Sequence, residues 1–212
     1  MNRPRSAIDR TSRVPGLQPV QARLMPLVAA ILGGVAAGAF ARLLDSALPA
    51  PWNTLANPSA LWGLLPFAAV TALRLRGWPA ASVGAAALVS MVTAWIVLAP
   101  SPASGREVVL WGVVGVFAGA LCGLAGDLVR RSAPWFHRVG LAFMGGVVLG
   151  EALYGILLIG GPQWLVEGAI GLALPLALGR RANDRIAGGA GAVLVAAALF
   201  AVYFAYDAIA AA

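Results

Sequence analysis

Glu151 is a carboxylate in the middle of an apolar, glycine-rich stretch that runs from Gly145 to Gly161. An ionised side chain at the centre of a bilayer costs about 2.5–3.5 kcal/mol on insertion scales, so such residues usually face the inside of a helix bundle and have a partner. Tyr154 lies about one helical turn further on and can donate a hydrogen bond to the carboxylate or contact a ligand. Glu151 is therefore the first candidate for a functional side chain.

The sequence leaves three interpretations of Glu151 open. The carboxyl group can be protonated and hydrogen-bonded for packing, or it can pair with Arg42 as a structural strut. It can also line a cavity that binds a proton, a cation or a polar solute. Arg42 itself has Asp45 three residues away, a spacing that favours a local ion pair. A pair between Arg42 and Glu167, which lies at a similar depth, is the competing account.

The segment from Pro49 to Trp62 is the most polar and irregular part between apolar runs. Asn57 and Trp62 could cap the bundle or form a solute entrance, although Asn-Pro pairs are equally typical of ordinary turns. Together with the residues above, they complete the set of candidate ligand-binding side chains. The set is Glu151, Tyr154, Arg42, Glu167, Trp62 and Asn57.

The composition defines the environment in which these residues lie. The chain has 212 residues, of which 60% are hydrophobic and 11% are charged, and its mean hydropathy is +0.85. Soluble domains have about 25% charged residues. A chain this apolar cannot cover itself with polar surface, so a lipid bilayer must surround much of it. We therefore expect an integral membrane protein with an all-α fold.

The sequence lacks the residue patterns of an enzyme or a metal site. It has no His-Glu-x-x-His helix, no Gly-x-Ser-x-Gly turn and no phosphate-binding loop ending in Lys-Ser or Lys-Thr. Cys122 is the single cysteine, which excludes an intramolecular disulfide and a cysteine-based metal site. The net charge of +7 comes from arginines between apolar runs, which indicates topology determinants rather than nucleic-acid binding. We expect no catalysis, cofactor, metal or nucleic-acid partner.

Seven apolar runs predict a polytopic bundle of seven transmembrane helices. A span needs about 20 residues, within a range of about 17–25, so the second and sixth runs are short. Both contain proline and are expected to be tilted, kinked or partly re-entrant. Residues 1–23 predict a disordered, basic tail, which leaves 24–212 as the transmembrane domain. The runs are Leu24–Leu48, Ser59–Leu75, Pro79–Leu98, Val108–Val129, Val139–Gly160, Trp164–Leu178 and Ile186–Tyr206.

The arginines predict the orientation of these runs. Thirteen of the fifteen lie in the N-terminal tail or in the connections after runs two, four and six. Positive charge accumulates on the cytoplasmic side, so we expect a cytoplasmic N-terminus and an outer C-terminus. The first run could instead be a signal peptide cleaved near Ala39-Phe40-Ala41, but it is longer than a typical signal core. Arginine without lysine, alongside abundant alanine and glycine, suggests a bacterial inner-membrane protein.

An internal repeat relates the first and fifth runs. Gly33-Gly-Val-Ala-Ala-Gly in run one matches Gly145-Gly-Val-Val-Leu-Gly in run five. The match places Glu151 opposite Ala39. Runs three and seven share a second, looser similarity, which aligns Gly84 with Gly191. This pattern indicates two parallel three-helix units joined by run four.

Run four carries glycines at a spacing of three and four, which places them on one helical face. Small residues at this spacing let helix backbones approach closely in lipid. Packing within the bundle is the expected role of this face, with contact to a partner membrane subunit or a glycine-lined path as alternatives. The glycines are Gly112, Gly115, Gly119, Gly123 and Gly126.

Three resemblances follow from these patterns. The three-one-three plan is similar to that of the sugar-transporting SWEET proteins and the PnuC vitamin transporters. Ala37-x-x-x-Ala41 resembles the docking motif in the substrate subunits of energy-coupling-factor vitamin importers. Trp52, an asparagine and Trp62 resemble a family of uncharacterised bacterial membrane proteins of this size.

The resemblances to transporters imply a small-solute carrier or its substrate-binding subunit. Its site would lie between the two units, around Glu151, Tyr154, Arg42 and Glu167, and its ligand would be a small polar or cationic solute. The alternative is a structural or assembly subunit of a larger membrane complex that has no ligand of its own.

Overall fold

Helices account for most of the chain. The computed structural model describes residues 20–56 and 59–210, with the side chains of residues 24–205 among them. Residues 1–19 of the predicted basic tail and the candidate residue Asn57 lie outside this part. The helices are α1 Val20–Ala47, α2 Ser59–Trp62, α3 Leu64–Leu73, α4 Trp78–Val97, α5 Gly105–Arg130, α6 Pro134–Tyr154, α7 Gln163–Leu178 and α8 Ala182–Ala210. A 3-10 turn, Trp52–Ala56, precedes α2, and a π-helical turn, Gly155–Ile159, continues α6.

The predicted all-α, multi-pass character is confirmed, but the count of seven spans is not. Within the described residues, five helices are long and apolar enough to cross a membrane. A sixth candidate consists of two helical segments that meet at 50°. The remaining helix, α7, has 16 residues, or a length of about 24 Å at 1.5 Å per residue, which is less than a bilayer core of about 30 Å.

The break between α2 and α3 has a cause in the sequence. Pro66 has no backbone N–H and cannot bond to the Trp62 carbonyl one turn earlier, so the helix is interrupted there. Gly63 lies at the interruption, where an added Cβ would be 2.8 Å from the Cys122 sulfur of α5. The missing hydrogen bond and this close approach together explain why the second run is kinked, as its proline predicted.

Helix α5 lies at the centre of the bundle. It packs on α3 and α4 on one side and on α6 on the other, while α6 packs on α7 and α8, and α1 packs on α4. Four glycines of α5 meet α3 or α4 within this chain, whereas Gly112 faces open space. Where α4 crosses α5, a Cβ on Gly84 of α4 would collide with the Gly119 carbonyl. The glycine face of α5 therefore packs within the bundle. The four packed glycines are Gly115, Gly119, Gly123 and Gly126.

One end of the bundle, which we call the basic end, contains the arginine-rich connections. Asp127 of α5 is 1% exposed and accepts hydrogen bonds from the Gly77 N–H and the Arg131 guanidinium, both at 2.9 Å. Its ion-pair partner is thus Arg131, one helical turn away, and this pairing raises the pKa of the Arg131 guanidinium. Arg138 and Asp184 form a second pair, at 2.9 Å, between α6 and the start of α8. These contacts fasten the ends of the helices to one another.

Adjacent glycines of α1 provide a test of the helix crossings. A Cβ at Gly34 would collide with the Ala87 carbonyl of α4, whereas one at Gly33 would meet nothing within 4 Å. We expect Gly34→Ala to lower the free energy of unfolding by about 1–3 kcal/mol because of overpacking. Gly33→Ala is the matched control and should change it by less than about 1 kcal/mol. Thermal unfolding in detergent, followed by tryptophan fluorescence, measures both; equal effects would contradict the crossing.

Candidate functional site

Glu151 lies in α6 and bonds to the first residues of α2. Its Oε1 accepts the Ser59 N–H at 3.0 Å, and its Oε2 accepts the Ala60 N–H. The first N–H groups of a helix have no partner within the helix, and they carry partial positive charge that favours an anion. Glu151 therefore caps the start of α2, although it lies far from α2 in the sequence. This contact ties α6 to the kinked segment.

Glu167 of α7 lies against Glu151. The side chain is 0% exposed, and its two oxygens have no hydrogen-bond partner among the described residues. The two carboxyl groups are close enough to hydrogen-bond to each other, but two carboxylates are both acceptors, so such a bond requires a proton on one of them. The structure thus brings together two of the residues that the sequence singled out.

Two tyrosines flank this carboxyl pair. The rings of Tyr154 in α6 and Tyr203 in α8 are 5.3 Å apart between centroids. Tyr203 also lies within electrostatic range of both Glu151 and Glu167. The sequence pointed to Tyr154 through its spacing from Glu151, but it carried no signal for Tyr203, because the contact depends on how α8 packs against α6.

The start of α7 completes the surroundings of the pair. The Trp164 ring lies against Gly155, where any side chain at the glycine would collide with the indole. Gly155 begins the π-helical turn, a local distortion that often marks a functional site. Trp164 is buried, and its indole N–H has no acceptor among the described residues. The surroundings of the carboxyl pair are therefore aromatic and tightly packed.

Arg42 does not belong to this cluster. Its guanidinium donates to Asp45 at 2.9 Å, and it lies over the Trp95 ring of α4 at 4.9 Å. The local ion pair is therefore the arrangement that the structure contains. The competing pairs of Arg42 with Glu151 or with Glu167 are not present among the described contacts.

Trp62 is the remaining candidate among the described residues. It lies between the cluster around Glu151 and the surroundings of Arg42. Its side chain is 8% exposed, and its indole N–H donates to the Ala56 carbonyl at 3.1 Å. Its ring meets Trp95 edge-on, with 5.3 Å between centroids. Trp62 is only two residues beyond Ala60, so its position follows from the contact between Glu151 and the start of α2.

A cavity of about 500 Å³ opens beside Trp62, at the end of the bundle opposite the basic end. We call it the tryptophan cavity, because Trp62, Trp95 and Trp111 line it. Ser59, whose N–H bonds to Glu151, is part of the same wall. The other lining residues are Leu88, Val92, Ile96, Ala99, Ser101, Pro102, Ala103, Glu107, Val114, Gly115 and Ala118.

The chemistry of the tryptophan cavity suits a ligand with an apolar body. Ligand sites of about 300–1,000 Å³ are typically apolar with a few placed polar groups. Here the polar groups are Ser59, Ser101 and Glu107. Glu107 also accepts from Ser104 at the start of α5, in a capping box that holds the carboxylate in place. Among the described residues, no three His, Cys, Asp or Glu side chains are grouped to hold a metal.

The apolar helices and their packing define a multi-pass α-helical membrane protein. The chain belongs to a family of unknown function, DUF6518, whose model matches residues 18–209. This agrees with the resemblance to an uncharacterised membrane family. No curated protein and no solved structure matches the chain.

The contact between Glu151 and α2 predicts the effect of Glu151→Gln. The single carbonyl oxygen of glutamine cannot serve both N–H groups as the carboxylate does, so the bond to the buried Ala60 or the bond to the exposed Ser59 is weakened, at a cost of up to about 1–3 kcal/mol. We expect that loss in the free energy of unfolding, together with faster hydrogen exchange at Ser59 and Ala60. Asp45→Asn is the control, because a partly exposed ion pair contributes about 0–1 kcal/mol. Unchanged exchange at Ser59 and Ala60 in Glu151→Gln would contradict the contact.

Proposed function

We propose that this protein is a small-solute carrier, or the substrate-binding subunit of one, whose solute occupies the tryptophan cavity. The observation that carries the proposal is the cavity itself, which has the size of a ligand site. It lies beside the kinked, proline-containing segment. Interrupted helices of this kind are the best pointer to a binding site in transporters.

The lining favours an organic cation with an apolar body. The faces of tryptophan rings attract cations that approach within about 6 Å, and an apolar body fits between the rings. Glu107 supplies a negative charge at the same wall, and Ser101 a hydroxyl group. A small organic ammonium compound would satisfy all of these groups, whereas an anion would meet the Glu107 carboxylate.

The proposed architecture is two parallel three-helix units joined by α5. Equivalent glycines support it. Gly34 and Gly38 of α1 meet Ala87 and Met91 of α4, while the matching glycines of α6 meet the matching turns of α8. These contacts make Ala87 of α4 equivalent to Ala192 of α8. The sequence similarity, which aligns Gly84 with Gly191, would place the equivalent of Ala87 two residues later in α8. The α6 glycines are Gly146 and Gly150, and their partners are Ala192 and Ala196.

We propose the orientation that the arginines predict, with the basic end in the cytoplasm of a bacterial cell and the C-terminus outside. The tryptophan cavity would then face the outside, as expected for the uptake of a solute. A role without catalysis, cofactor, metal or nucleic acid remains part of this proposal.

The alternative function is that of an assembly subunit without a ligand. Its support in the sequence is the glycine face of run four, which could dock a partner subunit. In the structure, α3 and α4 occupy that face over four of its five glycines. A partner would therefore have to bind elsewhere, which makes the carrier the better-supported proposal.

Filling the cavity tests the carrier proposal. Ala118→Leu adds bulk to the lining while keeping all three tryptophans, and Ala197→Leu adds the same bulk to an exposed position on α8. We expect the purified wild-type protein in nanodiscs to bind members of a panel of organic ammonium compounds, and Ala118→Leu to weaken that binding at least about tenfold, or 1.4 kcal/mol. Calorimetry or equilibrium dialysis measures the affinities.

The control Ala197→Leu should bind like the wild-type protein. Sugars and aromatic anions in the same panel test the proposed charge of the solute. If no compound binds to the wild-type protein, or if Ala118→Leu binds as well as it does, the carrier proposal is wrong and the assembly role is favoured.

Single cysteines test the proposed orientation. In a Cys122→Ala background, Ser132→Cys lies at the basic end, and Ser46→Cys lies at the opposite end of α1. We expect a membrane-impermeant maleimide added to intact cells to label Ser46→Cys and not Ser132→Cys, because the basic end faces the cytoplasm. Labelling after lysis shows that both thiols are reactive. The reverse pattern in intact cells would invert the orientation.

A further inference from the structure

We infer that Glu151 and Glu167 share one proton and form a proton-binding site, and that this proton is linked to the tryptophan cavity through Ser59. The linkage rests on the proposed function, whereas the proton-binding site rests on the burial of Glu167 and on the lack of a donor to its oxygens among the described residues.

The burial of Glu167 is the main observation. Both of its oxygens are inaccessible and lack a donor among the described residues, and an ionised carboxylate without a partner is strongly disfavoured in such surroundings. Glu151, by contrast, has two backbone N–H donors. The proton therefore belongs on Glu167, which donates it to the ionised Glu151. This arrangement gives both carboxyl groups a hydrogen-bond partner.

A proton fits this site better than a metal cation. The N–H groups of Ser59 and Ala60 point at the oxygens of Glu151, so a cation there would face the positive ends of two dipoles. No third His, Cys, Asp or Glu side chain joins the pair within the described chain. A proton on Glu167 needs neither extra ligands nor the loss of the contact with α2.

The groups that face the pair come from four helices. Tyr154 on α6 and Tyr203 on α8 are the titratable ones, and α2 contributes the Ser59 hydroxyl besides its two N–H groups. Helix α7 contributes Glu167 itself. Among the described residues, no arginine acts on either carboxyl group. No local positive charge is therefore available to compensate a second negative one.

Loss of the proton would weaken the contact between Glu151 and α2. Two ionised carboxyl groups in contact repel each other, and Glu151 can move away only by weakening its bonds to Ser59 and Ala60. Ser59 lines the tryptophan cavity, and Trp62 follows it in the same short helix. A protonated Glu167 therefore keeps the cavity wall in place, and loss of the proton loosens that wall. A carrier can use such a link to couple solute movement to a proton.

Infrared spectroscopy of glutamate-labelled protein tests the proton directly. The chain has three glutamates, Glu107, Glu151 and Glu167, so carbon-13 labelling of glutamate separates them from the aspartates. We expect the full-length protein in nanodiscs at neutral pH to show the carbonyl stretch of one protonated glutamate. Glu167→Gln should abolish this band, Glu151→Gln should shift it by replacing the carboxylate acceptor with a weaker amide acceptor, and Glu107→Gln should leave it unchanged.

The labelled band also tests the choice of a proton over a metal cation. Sodium or potassium at fixed pH should leave the band unchanged. The absence of the band in the wild-type protein, its survival in Glu167→Gln, or its loss on adding sodium would overturn the proton-binding site.

Binding measurements test the link to the cavity separately. As rising pH removes the labelled band, the affinity of the wild-type protein for a bound ammonium compound should change by about tenfold, a typical size for coupling between two sites. Glutamine at position 167 keeps a hydrogen-bond donor and cannot ionise, so the affinity of Glu167→Gln should not follow pH. A band that titrates without any change in affinity would disprove the linkage but leave the site intact. If no compound binds at all, the proposed function fails, while the infrared result still decides the proton-binding site.

Discussion

The contact of the Glu151 carboxylate with the first N–H groups of α2 determines the shape of the candidate site. Within a bilayer, each backbone N–H group that lacks a hydrogen-bond partner costs several kcal/mol. A helix that begins inside the protein therefore needs an acceptor at its first turn. Glu151 accepts from two successive N–H groups, which fixes where α2 begins. The position of Trp62, and with it one wall of the tryptophan cavity, follows from that starting point.

This contact lies one helical turn before an interruption in the second run. Pro66 interrupts the hydrogen bonding near Gly63. Non-helical backbone at membrane depth is tolerated where protein surrounds it or where it borders a cavity. Here α2 and its flanking turn contact α6, α7 and α1, and they border the cavity on another side. The short helix α2 therefore lies between the kink, the carboxyl pair and the cavity.

The sequence predicted some of this arrangement, and physical reasons explain the rest. A charged side chain in an apolar run is unfavourable in a bilayer, so Glu151 could be singled out from the sequence. The spacing of Arg42 and Asp45 predicted their ion pair. The partner of Glu151 had no side-chain signature, since it consists of backbone N–H groups. Trp95 and Trp111 look like ordinary anchors at the membrane surface, so only the packing of α4 on α5 reveals that they share a cavity. Asp127 has an arginine three residues later and another four residues later, and only the structure shows that it pairs with the second, Arg131.

The proposed repeat assigns the carboxyl pair and the tryptophan cavity to different units. In that repeat, Glu151 occupies the position of Ala39, so the first unit has no carboxylate at the equivalent level. The carboxyl pair belongs to α6 and α7 of the second unit, whereas the tryptophan cavity is built from α2 and α4 of the first unit together with α5. In the proposed repeat, the second unit carries the ionisable pair and the first unit carries most of the aromatic walls of the cavity. The start of α2 is where they meet, and a change of charge in the second unit can reach the cavity of the first through Ser59.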